Sequence, residues 1–436
     1  MRKQKTAYEL RDSQVDTPIA VVDLFWRLVH ECRPKLGDVL DTGAGDGRFA
    51  FGGNYETYLG IEIDIERARK AALACPGKIE RGCVFRHSGS GYDACIGNPP
   101  YVRHHDIESP WKENTVAKLE KDLDVQLDRH GNLYLYFLCL GIAKTKADGL
   151  VGMIVPYEWV SRPSASGLRD LIKRNMWEVS VYRFNSQIFP GVLTTASVSI
   201  INKAKSSGKW RFFNVAPDFN ISKRQGITGS LHSILPHEAR GKIWARRGLS
   251  PGTQKIFTLT EGERIHAGLT MRDVIPCVTS LRKFPKDLKA LDDASFRKHF
   301  VNAGERCWLI KSNTNRLSTR MATFLSHVPE KLRQTYTCLH QDPWYNYEEA
   351  PIPCLLFQSG FNHFGPKVAV NSIGAQAVGS VYGIHGIAEK NVRSVRKYLA
   401  SFNFEARVVA HAKTLKKVEV RQLNAVLSAW KTTASK

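Results

Sequence analysis

No two cysteines in this 436-residue chain are spaced as Cys-x-x-Cys. The nine present, at positions 32, 75, 83, 95, 139, 277, 307, 338 and 354, are scattered and odd in number. Their spacings fit no zinc template, and the pattern reads as that of a reduced, cytosolic protein. No apolar run approaches the ~18 residues that cross a bilayer. The first residues, Met1-Arg2-Lys3-Gln4-Lys5, are polar and carry no apolar signal-peptide core. No membrane association is therefore expected. There is no Gly-Lys-Ser/Thr for a nucleotide P-loop, no internal repeat and no low-complexity segment. Acidic residues are also scarce, 41 against 63 basic ones, for a net charge of +22. What is present suffices for packed cores: 43% of residues are hydrophobic and 10% aromatic, which excludes a disordered chain. The length suggests two or three domains.

The charge is uneven. Residues 1–210 hold 29 basic and 25 acidic residues, net +4, whereas residues 211–436 hold 34 and 16, net +18. A near-neutral front half and a basic back half suggest a catalytic unit joined to one that binds a polyanion. Lys203 to Lys209, with its Lys-Ser-Ser-Gly-Lys, reads as a linker, giving expected domains at 1–205 and 206–436.

Within the first half, strands are expected at Asp38–Asp41, Tyr58–Asp64, Tyr92–Ile96, Gly149–Val155, Val179–Phe184 and Ala196–Ile201. Helices are expected at Glu66–Ala74 and, apolar nearly all round and hence buried, Asn132–Ala147. This alternation predicts an α/β fold with a doubly wound, mostly parallel sheet. Ligands in such sheets lie at the carboxyl ends of the strands, which is where the unusual sequences stand. Beyond residue 210 the pattern is irregular until helical spacing returns in Asn391–Trp430.

Two constellations carry chemistry. The first is Asp41-x-Gly43-x-Gly45-x-Gly47, between a strand and a helix, with Glu62 at the end of the next strand. Gly43 and Gly45 allow a tight turn and close approach of a ligand to the backbone. Glu62 can accept both hydroxyls of a ribose. The GxGxG spacing differs from the dinucleotide pattern, so the site suits a nucleoside without a pyrophosphate. S-adenosylmethionine fits, with Asp41 facing its ammonium group or a bound water. The second constellation is Asn98-Pro99-Pro100-Tyr101 after the third strand. Consecutive prolines set the backbone and remove two N–H donors. The Asn98 side-chain oxygen and the Pro99 carbonyl can then accept from one amino group, drawing its lone pair out of conjugation and aiming it at a methyl donor. Tyr101 offers a flat face to a planar substrate.

Over residues ~15–203 these motifs resemble those of the gamma-class adenine-N6 DNA methyltransferases of the TaqI type, which belong to restriction-modification systems. Thr17-Pro18 followed by Val21–Leu28 is similar to the family's leading cofactor motif, Asp41–Gly47 to its glycine motif and Ile61–Asp64 to its ribose motif. Asn98–Tyr101 matches the catalytic tetrapeptide, and Asn132–Phe137 and Gly149–Pro156 match the next two motifs. Cofactor motifs preceding the catalytic one, with target recognition last, mark the gamma class. The resemblance implies a Rossmann-like class I S-adenosylmethionine methyltransferase sheet followed by a mixed α+β target-recognition domain. It implies that Thr17 contacts the methionine carboxylate, and that Phe189, in Phe189-Pro190-Gly191-Val192, stacks on a flipped adenine opposite Tyr101. The implied partner is double-stranded DNA, with a cognate restriction endonuclease on a separate chain. The implied location is the cytoplasm, on the nucleoid.

One departure stands out. The family's acidic residue after the third strand, which binds the cofactor's adenine, is absent from Arg81-Gly82-Cys83-Val84-Phe85. Backbone groups near Cys83 and Phe85 are the expected substitutes. Gly248–Thr253 with Phe257 is like the segment that opens the family's recognition domains. Arg282, Lys283, Lys311, Arg316 and Arg320 are candidate DNA contacts. Arg103, His104 and His105 follow the catalytic loop and can touch the strand beside the flipped base. The His pair lacks a third ligand, so no metal site is expected. Two alternatives stay open: a methyltransferase acting on a release-factor glutamine or on RNA with the same tetrapeptide, and a DNA-binding homologue with a decayed catalytic site.

Overall fold

The computed structural model describes residues 15–189, 195–223, 239–313, 316–362, 365–408, 410–412 and 415–434. The chain divides into two compact units, the first formed by residues up to 223 together with 410–412, the second by 239–408 and 415–434. All nine cysteines are free thiols. Among the described residues no helix is long and apolar enough to cross a membrane.

The first unit runs α1 (Ile19–Cys32), β1 (Leu36–Asp41), β2 (Tyr55–Glu62), α2 (Ile65–Ala74), β3 (Lys78–Arg81), β4 (Tyr92–Gly97), α3 (Ser109–Leu123), α4 (Leu133–Lys144), β5 (Thr145–Pro156), α5 (Ser166–Arg174), β6 (Glu178–Phe184), β7 (Ala196–Asn202), β8 (Trp210–Val215) and β9 (Ile221–Lys223). The strands form one sheet of order β3-β2-β1-β4-β5-β7-β6-β8-β9. From β3 to β5 all pairs are parallel, and β7 enters antiparallel to both β5 and β6. Each expected strand and helix of this half is present, with ends moved by a few residues.

Two apolar cores lie on opposite faces of the sheet. On one face α1 buries Val21, Val22, Leu24, Phe25, Trp26, Leu28 and Val29 against the side chains of Val39, Ile154 and Val198. On the other, α4 is buried along nearly its whole length, between the sheet and the Val116 and Leu119 face of α3. The expected helix to Ala147 stops at Lys144, because the Lys203 ammonium donates to the carbonyls of Ile142 and Thr145 at 3.1 and 3.0 Å. A cation at a helix C-terminus satisfies free carbonyls and suits the dipole, and the chain turns into β5.

The segment Lys203–Lys209, expected as a linker, joins β7 to β8 within this same sheet. The sheet therefore continues past the expected boundary at 205/206. Trp210 of β8 packs its ring 5.4 Å from that of Trp159, and Arg211 pairs with Glu178 of β6 at 2.8 Å.

Among its described residues the second unit holds two small sheets and an antiparallel strand pair, Gly360–Phe361 with Leu415–Lys417. One has five strands in the order Trp244–Arg247, Val381–His385, Leu355–Gln358, Val368–Asn371 and Ala290–Leu291. The other has four: Thr258–Leu259, Trp308–Ile310, Val274–Val278 and Gln376–Ala377. Helices Val392–Ser401 and Val420–Ala434 contribute Val395, Leu399, Leu423, Val426 and Leu427 to a core with the five-stranded sheet. The mixed α+β architecture is the expected one.

The Trp159 indole N–H is buried and donates to Ser199 Oγ at 2.9 Å. Ser199→Ala removes its acceptor. Urea unfolding of that variant is expected to show a loss of about 1–3 kcal/mol, the cost of an orphaned buried donor.

Candidate active site

β1 and β4 lie side by side and parallel, with Asp41 opposite Ile96. The Thr42 N–H continues the ladder to the Ile96 carbonyl at 3.0 Å. From β1 the chain winds outward through β2 and β3, then returns to β4 and winds the other way. The loops leaving β1 and β4 therefore diverge, and a crevice opens between them, the usual ligand position in a doubly wound sheet. Asp41–Gly47 forms one wall and Asn98–Tyr101 the other.

The glycine wall is built on buried carboxylates. Asp41 is fully buried; Gly43 N–H donates to its Oδ1 at 3.1 Å and the Tyr58 hydroxyl to its Oδ2 at 2.7 Å. Burial pushes the Asp41 carboxyl up to about 6, against those two hydrogen bonds. Glu62 is 5% exposed, and its two oxygens accept from the Gly45 and Asp64 N–H groups, each at 2.8 Å. Each oxygen retains a second lone pair for a hydroxyl. Gly45 has φ +59°, a backbone that favours glycine. A Cβ on Gly43 would meet nothing within 4 Å, so open space adjoins the loop. Ile63, next to Glu62, is 51% exposed. Between β3 and β4 the described residues 82–91 include no acidic side chain. The N–H groups of Cys83 and Phe85 donate to nothing among the described residues, so both can serve a ligand's ring nitrogen. These features fit a nucleoside-bearing cofactor.

The second wall begins at Gly97, with φ +147° and a would-be Cβ only 3.0 Å from Asp41 Oδ1. A side chain there would crowd the buried carboxylate, which would have to give by a few tenths of an ångström. Asn98 donates through Nδ2 to Thr17 Oγ1 at 3.0 Å, with the Val15 carbonyl at 3.5 Å. Its Oδ1 accepts nothing among the described residues. Pro99 is buried and Pro100 half-buried. The Tyr101 hydroxyl donates to the Ile154 carbonyl at 3.2 Å, and burial pushes its pKa up.

Thr17, Asp41, Gly43, Gly45, Glu62, Asn98, Pro99 and Tyr101 are thus gathered around one crevice. Phe189 is 2% exposed, and its ring centroid lies 6.3 Å from that of Tyr101. The two planes meet at 83°, edge to face. Stacking on both faces of one base needs near-parallel rings about 7 Å apart, two van der Waals contacts. Pro190, Gly191 and Val192 lie outside the described residues.

Other features escaped the sequence pattern. The Arg48 guanidinium donates to the Thr17 carbonyl and to Asp46, which holds the Arg48 pKa up. Asp16 pairs with Arg67 and Arg48. His130 joins His104 and His105, its ring 5.4 Å from that of His104. Burial, then the neighbouring imidazoles, push the His104 pKa down. No group of metal-ligating side chains is found among the described residues. In the second unit Arg282, Lys283, Lys311, Arg316 and Arg320 are all exposed, with Lys283 paired to Glu305 at 2.6 Å. There too Arg240 lies 3.1 Å over the Trp244 ring, whose other neighbour is His385, stacked at 4.4 Å.

The Asp41 titration has a definite sign. A carboxyl raised to about 6 in the folded protein, against its ordinary 3.8, holds its proton while the unfolded chain loses it. Its contribution to stability is present below about pH 4 and lost as pH rises to about 6. Denaturant unfolding of Asp41→Asn and wild type is expected to show the variant gaining relative stability across that window and levelling off above it.

Residues 61–189 match the family described as Eco57I restriction-modification methylase, and residues 243–406 match the C-terminal domain of the Type II methyltransferase M.Eco57I. The chain is 24% identical over 388 residues to the Type II methyltransferase M.XamI of Xanthomonas campestris pv. amaranthicola, covering 80% of this chain and 71% of that protein. It is 21% identical over 316 residues to M.AccI of Acinetobacter calcoaceticus, covering 64% and 57%. It therefore spans a little over half the length of the second relative. Among solved structures, the Type IIL restriction-modification enzyme MmeI in complex with DNA shares the fold, with a TM-score of 0.61 at 11% identity over 92% of this chain and 65% of that one. With the two matched segments lying on the two units, and with cofactor motifs preceding the catalytic one, the chain belongs to the gamma-class restriction-modification methyltransferases of the Eco57I type.

Proposed function

We propose that this protein is a site-specific DNA adenine-N6 methyltransferase of a restriction-modification system, using S-adenosylmethionine. One observation carries the reading. Asn98 stands at the switch point with its amide nitrogen committed to Thr17 and its oxygen free, beside the carbonyl of a buried proline. That pair of acceptors suits the two hydrogens of a planar amino group.

In this reading Glu62 holds the cofactor's ribose, Gly43 and Gly45 let it approach the backbone, and the Cys83 and Phe85 amides take the adenine. Thr17 faces the methionine carboxylate, and Asp41 supports the loop from below. When bound, S-adenosylmethionine supplies a sulfonium methyl group, whose bond pair stays on sulfur as the new N–C bond forms. Asn98 Oδ1 and the Pro99 carbonyl draw the N6 lone pair out of conjugation and aim it. The extra proton on N6 passes to solvent, so no strong general base is required. Catalysis is mainly positioning.

A base within a duplex must be flipped out, at a cost of a few kcal/mol. Stacking offsets that cost at ~1–3 kcal/mol per base. Tyr101, held through its hydroxyl, is the fixed face. Phe189 must rotate from its edge-on position to become the second. The +18 charge of residues 211–436 favours DNA over a protein amide, as does the likeness to an enzyme solved with DNA. The protein would act on the nucleoid, in the cytoplasm, with any cognate endonuclease on a separate chain.

Two variants, sequencing and a salt series test this. Asn98→Ala is expected to lose at least tenfold in methyl transfer to DNA, over ~1.4 kcal/mol of barrier, with cofactor affinity nearly intact; Glu62→Ala is expected to weaken cofactor binding by roughly 1.5–3 kcal/mol. Long-read sequencing of DNA from an expressing host reports the modified base and its context. Separately, DNA binding by the full chain is expected to weaken steeply with salt, with a log–log slope of about −0.9 per phosphate contacted. A flat response would remove DNA as the partner of the basic unit.

A further inference from the structure

We infer that His104, His105 and His130 form a proton-gated clamp on the DNA phosphates beside the target base. The inference rests on the methyltransferase reading above and adds to it a pH-dependent grip on the strand that the cofactor and proline loops do not supply.

The three imidazoles come from two segments that only the fold brings together. His104 and His105 stand in a single turn, three and four residues after Tyr101. His130 lies two residues before Asn132, which opens α4. The ring of His104 is 5.0 Å from that of His105 and 5.4 Å from that of His130, edge to face in both cases. Two bonds tie the segments together. The His104 backbone N–H donates to Asn132 Oδ1 at 3.1 Å, and the Leu133 N–H to the Val102 carbonyl at 3.0 Å. Because α4 leads into β5, which runs parallel to β4, it begins at the edge of the sheet that carries Asn98. A base held at Asn98 and Tyr101 is joined to its own phosphates through one sugar. Three residues of chain reach at most about 11 Å, so His104 stands close to the path the strand must take.

The charge of this patch depends on its imidazoles. Facing His104 are His105 from its own turn, Lys112 from α3, and Asp128 and His130 from the loop before α4. Arg103 and Asp106 flank the histidine pair. The cations Arg103 and Lys112 thus stand against the carboxylates Asp106 and Asp128, and cancel. Asp106 lies 3.8 Å from His105 Nε2, and Asp128 lies 3.0 Å from His130 Nδ1. His105 and His130 are exposed and His104 is half-buried, so a phosphate can reach all three. With neutral imidazoles the patch offers a phosphate no net charge. Protonated, it is cationic, and charge-assisted hydrogen bonds to phosphate are the strong kind. Burial, then the neighbouring imidazoles and Lys112, push the His104 pKa down in the free protein. A phosphate among the rings opposes that repulsion and raises the pKa. Binding therefore takes up protons. The added affinity is full below the free-protein pKa and is lost as pH rises through the value in the complex.

The test measures DNA affinity of the full chain against pH, on a duplex carrying the sequence context that an expressing host methylates. The wild-type Kd is expected to rise roughly tenfold between about pH 6 and about pH 8. His130→Gln changes only an exposed side chain and is expected to cut that rise to less than about threefold; adding His104→Gln is expected to abolish it. Calorimetry in buffers of different ionisation enthalpy is expected to count about one proton taken up by wild type near neutral pH, and fewer by the variants. The affinity for S-adenosylmethionine, measured on the same proteins, reports that they are folded and is expected to stay the same. A pH dependence shared by wild type and both variants, or binding heats independent of buffer, would overturn the inference, while methylation of DNA by the wild type leaves the functional reading standing. A wild-type protein that methylates no DNA overturns both.

Discussion

The site depends on the parallel pairing of β1 with β4. Their ends are brought level by the bond from the Thr42 N–H to the Ile96 carbonyl. Because the winding reverses between them, no crossover covers the crevice above, and two loops 50 residues apart in sequence face each other. Gly97 eases the close approach, since a Cβ there would lie only 3.0 Å from Asp41 Oδ1. Every proposed role follows from this closeness: the glycine loop takes the cofactor, and the proline loop takes the substrate.

Burying two carboxylates beside that crevice is costly unless their lone pairs are used. The structure uses them on backbone amides. Glu62 spans Gly45 and Asp64 and so ties the glycine loop to the start of α2. Asp41 spans Gly43 and Tyr58 and ties the same loop to β2. The loop is held in shape before any ligand arrives, and less ordering is left to be done on binding. Asp41 has no cation among those partners, which is why burial dominates its titration.

The two units answer different physical demands. The first buries α1 and α4 on opposite faces of a large sheet, giving the rigid support that a catalytic geometry requires. The second is made of strands of two to five residues. Its exposed cations, Arg282, Lys311 and Arg320 among them, stand on segments between strands, where they can follow a phosphate backbone without disturbing packing. The stacked Arg240, Trp244 and His385 add a planar, cationic edge to that unit.

Much of the first unit was legible in the sequence. Alternating apolar runs marked its strands, because a strand buried on both faces is apolar at nearly every position. The glycine loop, Glu62 and Asn98–Tyr101 could be found because each is a local pattern whose chemistry depends on neighbours a few residues away. What tertiary structure alone decided lies at long range. No spacing rule links Asn98 to Thr17, 81 residues earlier, or Arg48 to the Thr17 carbonyl. The continuation of the sheet past Lys203–Lys209 was hidden because a turn and a linker share the same Lys, Ser and Gly composition, and only strand pairing tells them apart. The end of α4 at Lys144 was set by Lys203, nearly 60 residues away. The angle between Tyr101 and Phe189 could not be read either, since a residue's type shows that it can stack, while its orientation depends on everything packed around it.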